Sequence, residues 1–380
     1  MSEVTRLVHD RPYSKGAVSP PIYQTSLFTF DNYAALLERF RGDSDHAIYS
    51  RVDNPTVKIL IDKMVELECG EAAAAFASGM SAISSAILSV VQSGDRILCV
   101  NHIYPDAYQF LRGVCAGLGI VTEFVDGTDI DAIEARLTGA QLLYLESPST
   151  WVMQEQNIAA MAKMARAQGV ISIVDNTWAS PLFQKPLTCG IDMVVHSASK
   201  YISGHSDAVA GLVVGKKELI ENMKHNVCAY LGGKLSAQEA ALLIRGLRTL
   251  PLRMQRHQDS ALLLANRLAD RADVENVYHP ALEKPGFSQL SGYGGLFSIE
   301  VIDSVNIEKF CDSLSVFRLG VSWGGYESLA LPVAASMQQT TQYCSAIDFE
   351  VSPRLIRLFI GLEDPEDLWH DLDHAFQNSQ

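Results

Sequence analysis

Lys200 stands in the segment His196-Ser197-Ala198-Ser199-Lys200-Tyr201, just beyond the apolar run Asp192–Val195. Asp175 ends the apolar, β-branched run Gly169–Val174, and Asn176-Thr177-Trp178 breaks that run. Both runs read as strands buried on both faces. A carboxylate at the tip of such a strand is costly unless something pairs with it. In an open parallel sheet the C-terminal strand ends share one crevice, where ligands bind. A lysine amine there can condense with an aldehyde, and a carboxylate there can keep a ring nitrogen protonated. These are the two demands of pyridoxal 5'-phosphate. Taken singly, each residue has a plainer reading: the lysine as a solvated surface charge, the aspartate as the cap of the following turn. The two stand about 25 residues apart, each after a core strand, and are less easily both incidental.

The same cofactor needs donors for its phosphate. Ser78-Gly79-Met80-Ser81 opens a helical stretch directly after Ala72–Ala77, and Gly79 permits close backbone approach. Ser197 and Ser199 add hydroxyls from the other side. Tyr104 follows the strand-like run Arg96–Val100 and suits stacking on a ring; a helix-start aromatic in the core is the alternative. Arg357 interrupts the apolar run Leu355–Ile360, and its planar fork suits a substrate carboxylate. An arginine on the solvated face of a strand is the competing reading. No Walker loop and no Gly-x-Gly-x-x-Gly is present, which disfavours nucleotide folds.

These residues need a scaffold, and 380 residues suffice for two domains and a large core. Strand-like runs at Arg96–Val100, Val121–Val125, Leu142–Leu145, Val170–Val174, Met193–His196 and Leu212–Val214 alternate with helix-like stretches at Tyr104–Ala116, Ile130–Leu137 and Ile158–Ala167. That alternation predicts an α/β fold with a mostly parallel sheet covered on both faces. Residues 1–55, with Pro12, Pro20, Pro21 and Pro55, read as an extended arm with one short helix near Tyr33–Phe40. Residues 56–250 read as the cofactor-binding domain. Residues 251–380 read as a smaller α+β domain, with strands at Gly295–Val301 and Leu355–Ile360. A long helical stretch, Ala237–Asp270, is expected to bend near Pro251.

The formal net charge of −14, with no basic run, argues against nucleic acid and anionic membrane partners. The N-terminus lacks the apolar core of a signal peptide. Seven cysteines, odd in number and without a Cys-x-x-Cys pair, suit reduced thiols in a cytoplasm. His196, His205 and Asp207 lie close in sequence but share no face, so no metal site is expected.

Four segments together carry a resemblance: Ser197–Asp207, Asp175-Asn176-Thr177-Trp178, Tyr49-Ser50-Arg51 and Ser322–Leu329. They are similar to the cysteine/methionine-metabolism family of pyridoxal-phosphate enzymes, and the likeness runs from Gly16 to the Arg354–Glu363 segment. It implies a fold type I architecture and a carbon–sulfur lyase of amino-acid metabolism acting on a small sulfur amino acid. By that resemblance Lys200 holds the cofactor aldehyde, Asp175 partners the pyridinium nitrogen and Tyr104 stacks on the ring. Gly79, Met80, Ser197 and Ser199 hold the phosphate. Tyr49 and Arg51 resemble a pair that reaches a neighbouring subunit's cofactor, which implies a homotetramer built as a dimer of dimers. Arg357 resembles the residue that grips the substrate α-carboxylate, with Ser322 and Trp323 beside it.

Trp323 after Ser322 resembles bacterial cystathionine β-lyases, where γ-acting relatives commonly have Leu. Val321 stands where those relatives often carry an acid. Pro148-Ser149-Thr150 lacks their usual Asn, and Pro105-Asp106 replaces the cysteine typical of methionine γ-lyases. Against this, Tyr49–Thr56 resembles the γ-acting branch. The resemblance therefore favours β-elimination of cystathionine, with γ-elimination as the alternative. Lys200 would remove the Cα proton, and Lys200 or Tyr104 would protonate the departing thiolate. Ser199 and Tyr104 are expected to position the lysine amine. The joint presence of Lys200 and Asp175 argues against a purely binding protein.

Overall fold

The computed structural model describes residues 2–9, 13, 16–283 and 287–380, so Pro12 of the arm lies outside the described residues. A large sheet contains β1 (Ala72–Phe76), β2 (Arg96–Val100), β3 (Val121–Val125), β4 (Leu142–Glu146), β5 (Ile171–Asp175), β6 (Met193–Ser197) and β7 (Gly211–Gly215). Their order across the sheet is β1-β7-β6-β5-β4-β2-β3. The block from β6 to β3 is parallel, while β7 and β1 add antiparallel at the other edge. The central parallel strands β4, β5 and β6 are almost wholly buried, as strands covered on both faces must be, whereas the edge strand β3 carries Thr122 and Glu123 and is more open. Strand order reverses between β2 and β4, and a crevice opens at such a switch point outside the carboxyl ends of the strands.

Three expected strands stopped one residue early. Leu142–Leu145, Val170–Val174 and Met193–His196 each extend by a polar residue: Glu146, Asp175 and Ser197. Ladder pairing carries the strand past its last apolar side chain, so the polar residue is held by the sheet rather than by a loose turn. Ala72–Phe76 was not expected as a strand at all. Alanine has low intrinsic strand preference, and β1 exists because it pairs along its whole length with β7. Gly211 on β7 permits the next step: a Cβ there would meet the Ser78 carbonyl oxygen at 2.1 Å. Its absence lets the Gly79–Leu88 helix start against the sheet.

The second sheet holds β8 (Val274–Tyr278), β9 (Leu296–Val301), β10 (Arg318–Leu319), β11 (Leu329–Pro332) and β12 (Leu355–Phe359), in the order β10-β11-β12-β9-β8. Its own core includes Phe297, Ile299, Ile356, Leu358 and Phe376. The Ala237–Ala269 helix runs unbroken through Pro251 and packs on both the large sheet's core and the second sheet. A boundary at 250/251 therefore falls within one helix. In the arm, Tyr33–Arg41 is helical as expected, and Glu3–Val8 adds a turn that the sequence pattern did not reveal. The expected Tyr104–Ala116 helix forms as an α-helical piece, Pro105–Gln109, continuing as a π-helix over Phe110–Cys115. Among the described residues no helix is long and apolar enough to cross a membrane.

Two buried hydrogen bonds tie the domains together next to the strand tips. Gly295 N donates to Tyr201 Oη at 2.7 Å, and Trp178 Nε1 donates to Leu296 O at 2.9 Å. Tyr201 adjoins Lys200, and Trp178 lies three residues after Asp175, so β9 anchors both segments. Replacing Tyr201 by Phe leaves the Gly295 N–H buried without an acceptor. The expected cost is about 1–3 kcal/mol of unfolding free energy, read as a lower urea midpoint at unchanged slope.

Candidate active site

The carboxyl ends of β2, β4, β5 and β6 line one cleft of about 400 Å³. Ten of the residues singled out from the sequence meet there: Gly79, Met80, Tyr104, Asp175, Ser197, Ser199, Lys200, Ser322, Trp323 and Arg357. They come from six separate stretches of chain. Tyr49 and Arg51 are not among them. They line a different groove, with Tyr23, Gln24, Lys234 and Ser236, where Arg51 Nη1 donates to Ala229 O at 2.6 Å.

Asp175 lies on the cleft floor. Its Oδ1 accepts from Thr177 N at 2.9 Å and from Thr177 Oγ1 at 2.5 Å, and Thr177 Oγ1 in turn accepts from Ser197 N at 2.8 Å. Oδ2 has no partner among the described residues. Glu146, in register with Asp175 on the adjacent strand, also lines the cleft. Burial pushes both carboxyls up, and the charge of Asp175 pushes Glu146 further. Two buried carboxylates side by side call for a cation, and a protonated ring nitrogen at Oδ2 meets that demand.

Ser78 Oγ accepts from Ser81 N at 3.0 Å, capping the Gly79–Leu88 helix. The N–H groups of Gly79 and Met80, in the first turn, have no intrahelical acceptor and are free to meet an anion. A Cβ on Gly79 would meet Ser197 Cβ at 2.8 Å, so only glycine leaves the cradle open beside that hydroxyl. The donor set, the unpartnered carboxylate oxygen and the lysine together fit pyridoxal phosphate. Ser199 lines the cleft but does not bond the lysine. Its hydroxyl donates to Ala210 O at 3.2 Å and accepts from Ala210 N at 2.9 Å, so it braces the turn rather than the lysine.

The Lys200 amine is instead held by Ser322 Oγ at 2.7 Å, and it lies 5.4 Å from the centroid of a Trp323 ring. Burial, aided by the Arg357 charge, lowers its pKa to about 8. Arg357 is buried on β12, which removes the solvated-face reading. Its Nη2 donates to Val321 O at 2.7 Å, and its guanidinium lies 5.3 Å from the Trp151 ring. Burial brings the guanidinium pKa down to about 10. Tyr104 is 39% exposed to the cleft, which excludes a core role. Its N–H donates to Glu146 Oε2 at 2.7 Å, and its hydroxyl donates to Asp106 Oδ2 at 2.7 Å. Burial and Asp106 raise the phenol pKa, so Tyr104 keeps its proton at neutral pH.

The sequence reading passed over Glu146, Thr177 and Trp151. Glu146 carried a signal, since it follows a buried apolar run just as Asp175 does. Thr177 and Trp151 carried none; the latter takes a positive φ of 69° in the turn after β4. Among the described residues no group of His, Cys, Asp and Glu is arranged to hold a metal.

The family model described as "Cys/Met metabolism PLP-dependent enzyme" matches residues 4–377. The L-methionine gamma-lyase of Pseudomonas putida is 38% identical over 386 residues, covering 99% of this chain and 97% of that protein. The cystathionine beta-lyase of Lactococcus lactis subsp. cremoris is 33% identical over 382 residues, covering 98% of each. The crystal structure of cystathionine gamma-lyase from Lactobacillus plantarum complexed with L-serine superposes with a TM-score of 0.91 at 35% identity, covering 100% of each chain.

A lysine with a pKa near 8 should be a good nucleophile at mildly alkaline pH. Capture of pyridoxal phosphate by the apoprotein should accelerate as pH rises through about 8. Replacing Arg357 by Leu removes a neighbouring positive charge, favours the protonated amine and should move that rise to higher pH. Stopped-flow absorbance across pH 6.5–10 (a range of about four units around the unperturbed and shifted values) reads both.

Proposed function

Because this chain belongs to the Cys/Met metabolism PLP-dependent enzyme family, we propose that this carbon–sulfur lyase acts by β-elimination on L-cystathionine. The products are homocysteine, pyruvate and ammonia, and cystine and cysteine are further substrates. The observation that carries the choice of carbon is the pair flanking Ser322. Val321, 70% exposed, offers no carboxylate to a distal ammonium, and Trp323 closes on Lys200.

When bound, pyridoxal phosphate withdraws electron density from the substrate Cα. Arg357, with donors remaining beyond its bond to Val321 O, grips the α-carboxylate and fixes the Cα–H bond toward Lys200. Asp175, braced by Thr177, keeps the ring nitrogen protonated. Ser322 holds the Lys200 amine in place. At a pKa of about 8 a useful fraction of that amine is neutral near pH 7, so it removes the Cα proton. The electron pair left at Cα forms the Cα–Cβ double bond as the Cβ–S bond breaks. Lys200, now protonated, returns the proton to the departing sulfur. Tyr104 points its own proton at Asp106, which favours a stacking role for it over proton donation. Water then converts the released enamine to pyruvate and ammonia.

The groove position of Tyr49 and Arg51, away from this chain's own cleft, supports their reaching a neighbouring subunit's phosphate within a dimer of dimers. A γ-elimination reading is favoured by the 38% identity to a methionine gamma-lyase, by the likeness to a cystathionine gamma-lyase structure and by the Tyr49–Thr56 segment. The oxo acid decides between the two. Incubation with L-cystathionine should yield pyruvate, whereas 2-oxobutyrate would assign the reaction to the γ-carbon. Lys200→Ala should lose the holoenzyme's visible absorbance and at least about 10²–10⁴-fold in kcat; retained absorbance with full turnover would overturn its assignment.

A further inference from the structure

Behind the cleft, a second polar cluster is sealed into the core. His196 pairs with Leu212 across β6 and β7, on the face where Leu212 and Val214 meet the Pro55–Glu68 helix. Val195 and Val213 point the other way, into the core beneath the Gly79–Leu88 helix. Glu68 ends its helix at 0% exposure, with His196 at 1% and Asn176 at 0%. Glu68 Oε1 sits 2.5 Å from His196 Nε2 and accepts from Asn176 Nδ2 at 3.0 Å. Asn176 is held in turn by Gln184, whose Nε2 donates to Asn176 Oδ1 at 3.0 Å and to Ser147 O at 2.8 Å. Glu68 Oε2 and His196 Nδ1 make no further bond.

A carboxylate buried at a helix C-terminus opposes the helix dipole and loses its hydration. Stability alone does not call for it. The two groups it binds are chain neighbours of the cleft. Asn176 follows Asp175 on β5, and His196 precedes Ser197 on β6. In front, Thr177 Oγ1 links Asp175 to Ser197 N. Behind, one oxygen of Glu68 links Asn176, just past the end of β5, to His196 near the end of β6.

We infer that Glu68 is a positioning residue that ties the ends of β5 and β6 together from behind the sheet, so that Asp175 and Ser197 stand at the spacing the cofactor's ring nitrogen and phosphate require. This holds whichever carbon–sulfur bond is broken, since it concerns the cofactor seat alone.

The test uses apoprotein, pyridoxal phosphate titrated by absorbance, and visible circular dichroism per bound cofactor as a measure of how rigidly the ring is held. Glu68→Gln keeps an acceptor oxygen for both donors and should bind the cofactor within about three-fold of wild type. Glu68→Leu combined with His196→Leu replaces the buried pair by apolar side chains, a change that commonly preserves stability. It should melt as apoprotein near the wild-type temperature, bind the cofactor about ten-fold or more weakly, the size of one charged hydrogen bond, and show reduced ellipticity. Wild-type affinity and ellipticity in that folded double variant would overturn the inference. So would a loss in Glu68→Gln as large as in the double variant. Should the double variant not fold, His196→Leu, which removes a ring whose one hydrogen bond is to Glu68 and so cuts only the β6 arm of the tie, decides: weakened binding with a folded apoprotein supports the inference, and unchanged affinity defeats it.

Discussion

Two largely buried carboxylates end adjacent parallel strands in register. Asp175 and Glu146 occupy the floor of the cleft at the point where strand order reverses. Their hydrogen bonds come from Thr177, Thr150 and the Tyr104 backbone, which are neutral donors. Such donors soften the penalty of burying charge without cancelling it. A cationic ring nitrogen seated there would cancel it. Much of the surrounding detail follows from keeping that floor in place. Thr177 bridges Asp175 to Ser197, and Glu146 pins the start of the Pro105–Gln109 helix and hence the Tyr104 ring.

The opposite wall comes from the second domain, and its chemistry is that of positive charge under burial. Arg357 and Lys200 face the same small space, and the arginine's charge makes the lysine's proton less welcome. The arginine remains charged because its intrinsic basicity is high; the lysine is brought to about 8, within reach of neutral pH. On the proposed reading, a base and a carboxylate grip are thereby obtained from two like charges. The arrangement depends on the join between domains, where Tyr201 and Trp178 hydrogen-bond to the start of β9. Without that join, Ser322 and Arg357 have no fixed relation to Lys200.

Legibility in the sequence followed how far each residue's role was local. Lys200, Asp175, Gly79 and Arg357 each stand out against their immediate neighbours, as a polar residue or glycine at the end or middle of an apolar run. The alternation of strands and helices from Arg96 to Val214 was legible for the same reason. Ala72–Phe76 was not, because an alanine run becomes a strand only through its pairing with β7. The bonds of the Ser199 hydroxyl were not legible, because nothing in Ser197-Ala198-Ser199 tells which hydroxyl turns back to Ala210. The bridging role of Thr177 escaped notice because its bond to Ser197 joins two strands, and Glu68 escaped notice because its partners lie far along the chain.

By itself the sequence determined the chemistry on offer: an amine, a carboxylate, a phosphate-binding helix start and a carboxylate grip, on an α/β scaffold. Residue type and apolar periodicity are local properties, and they survive without coordinates. Only the tertiary structure decided which groups share a space and at what ionisation. That Lys200 leans on Ser322 rather than Ser199, that Glu146 stands beside Asp175, and that Arg357 is buried rather than solvated all depend on contacts between segments far apart in the chain. The physical reason is that burial and Coulomb interaction are set by distance in space, and sequence separation says little about that distance once the chain has crossed from one sheet to another.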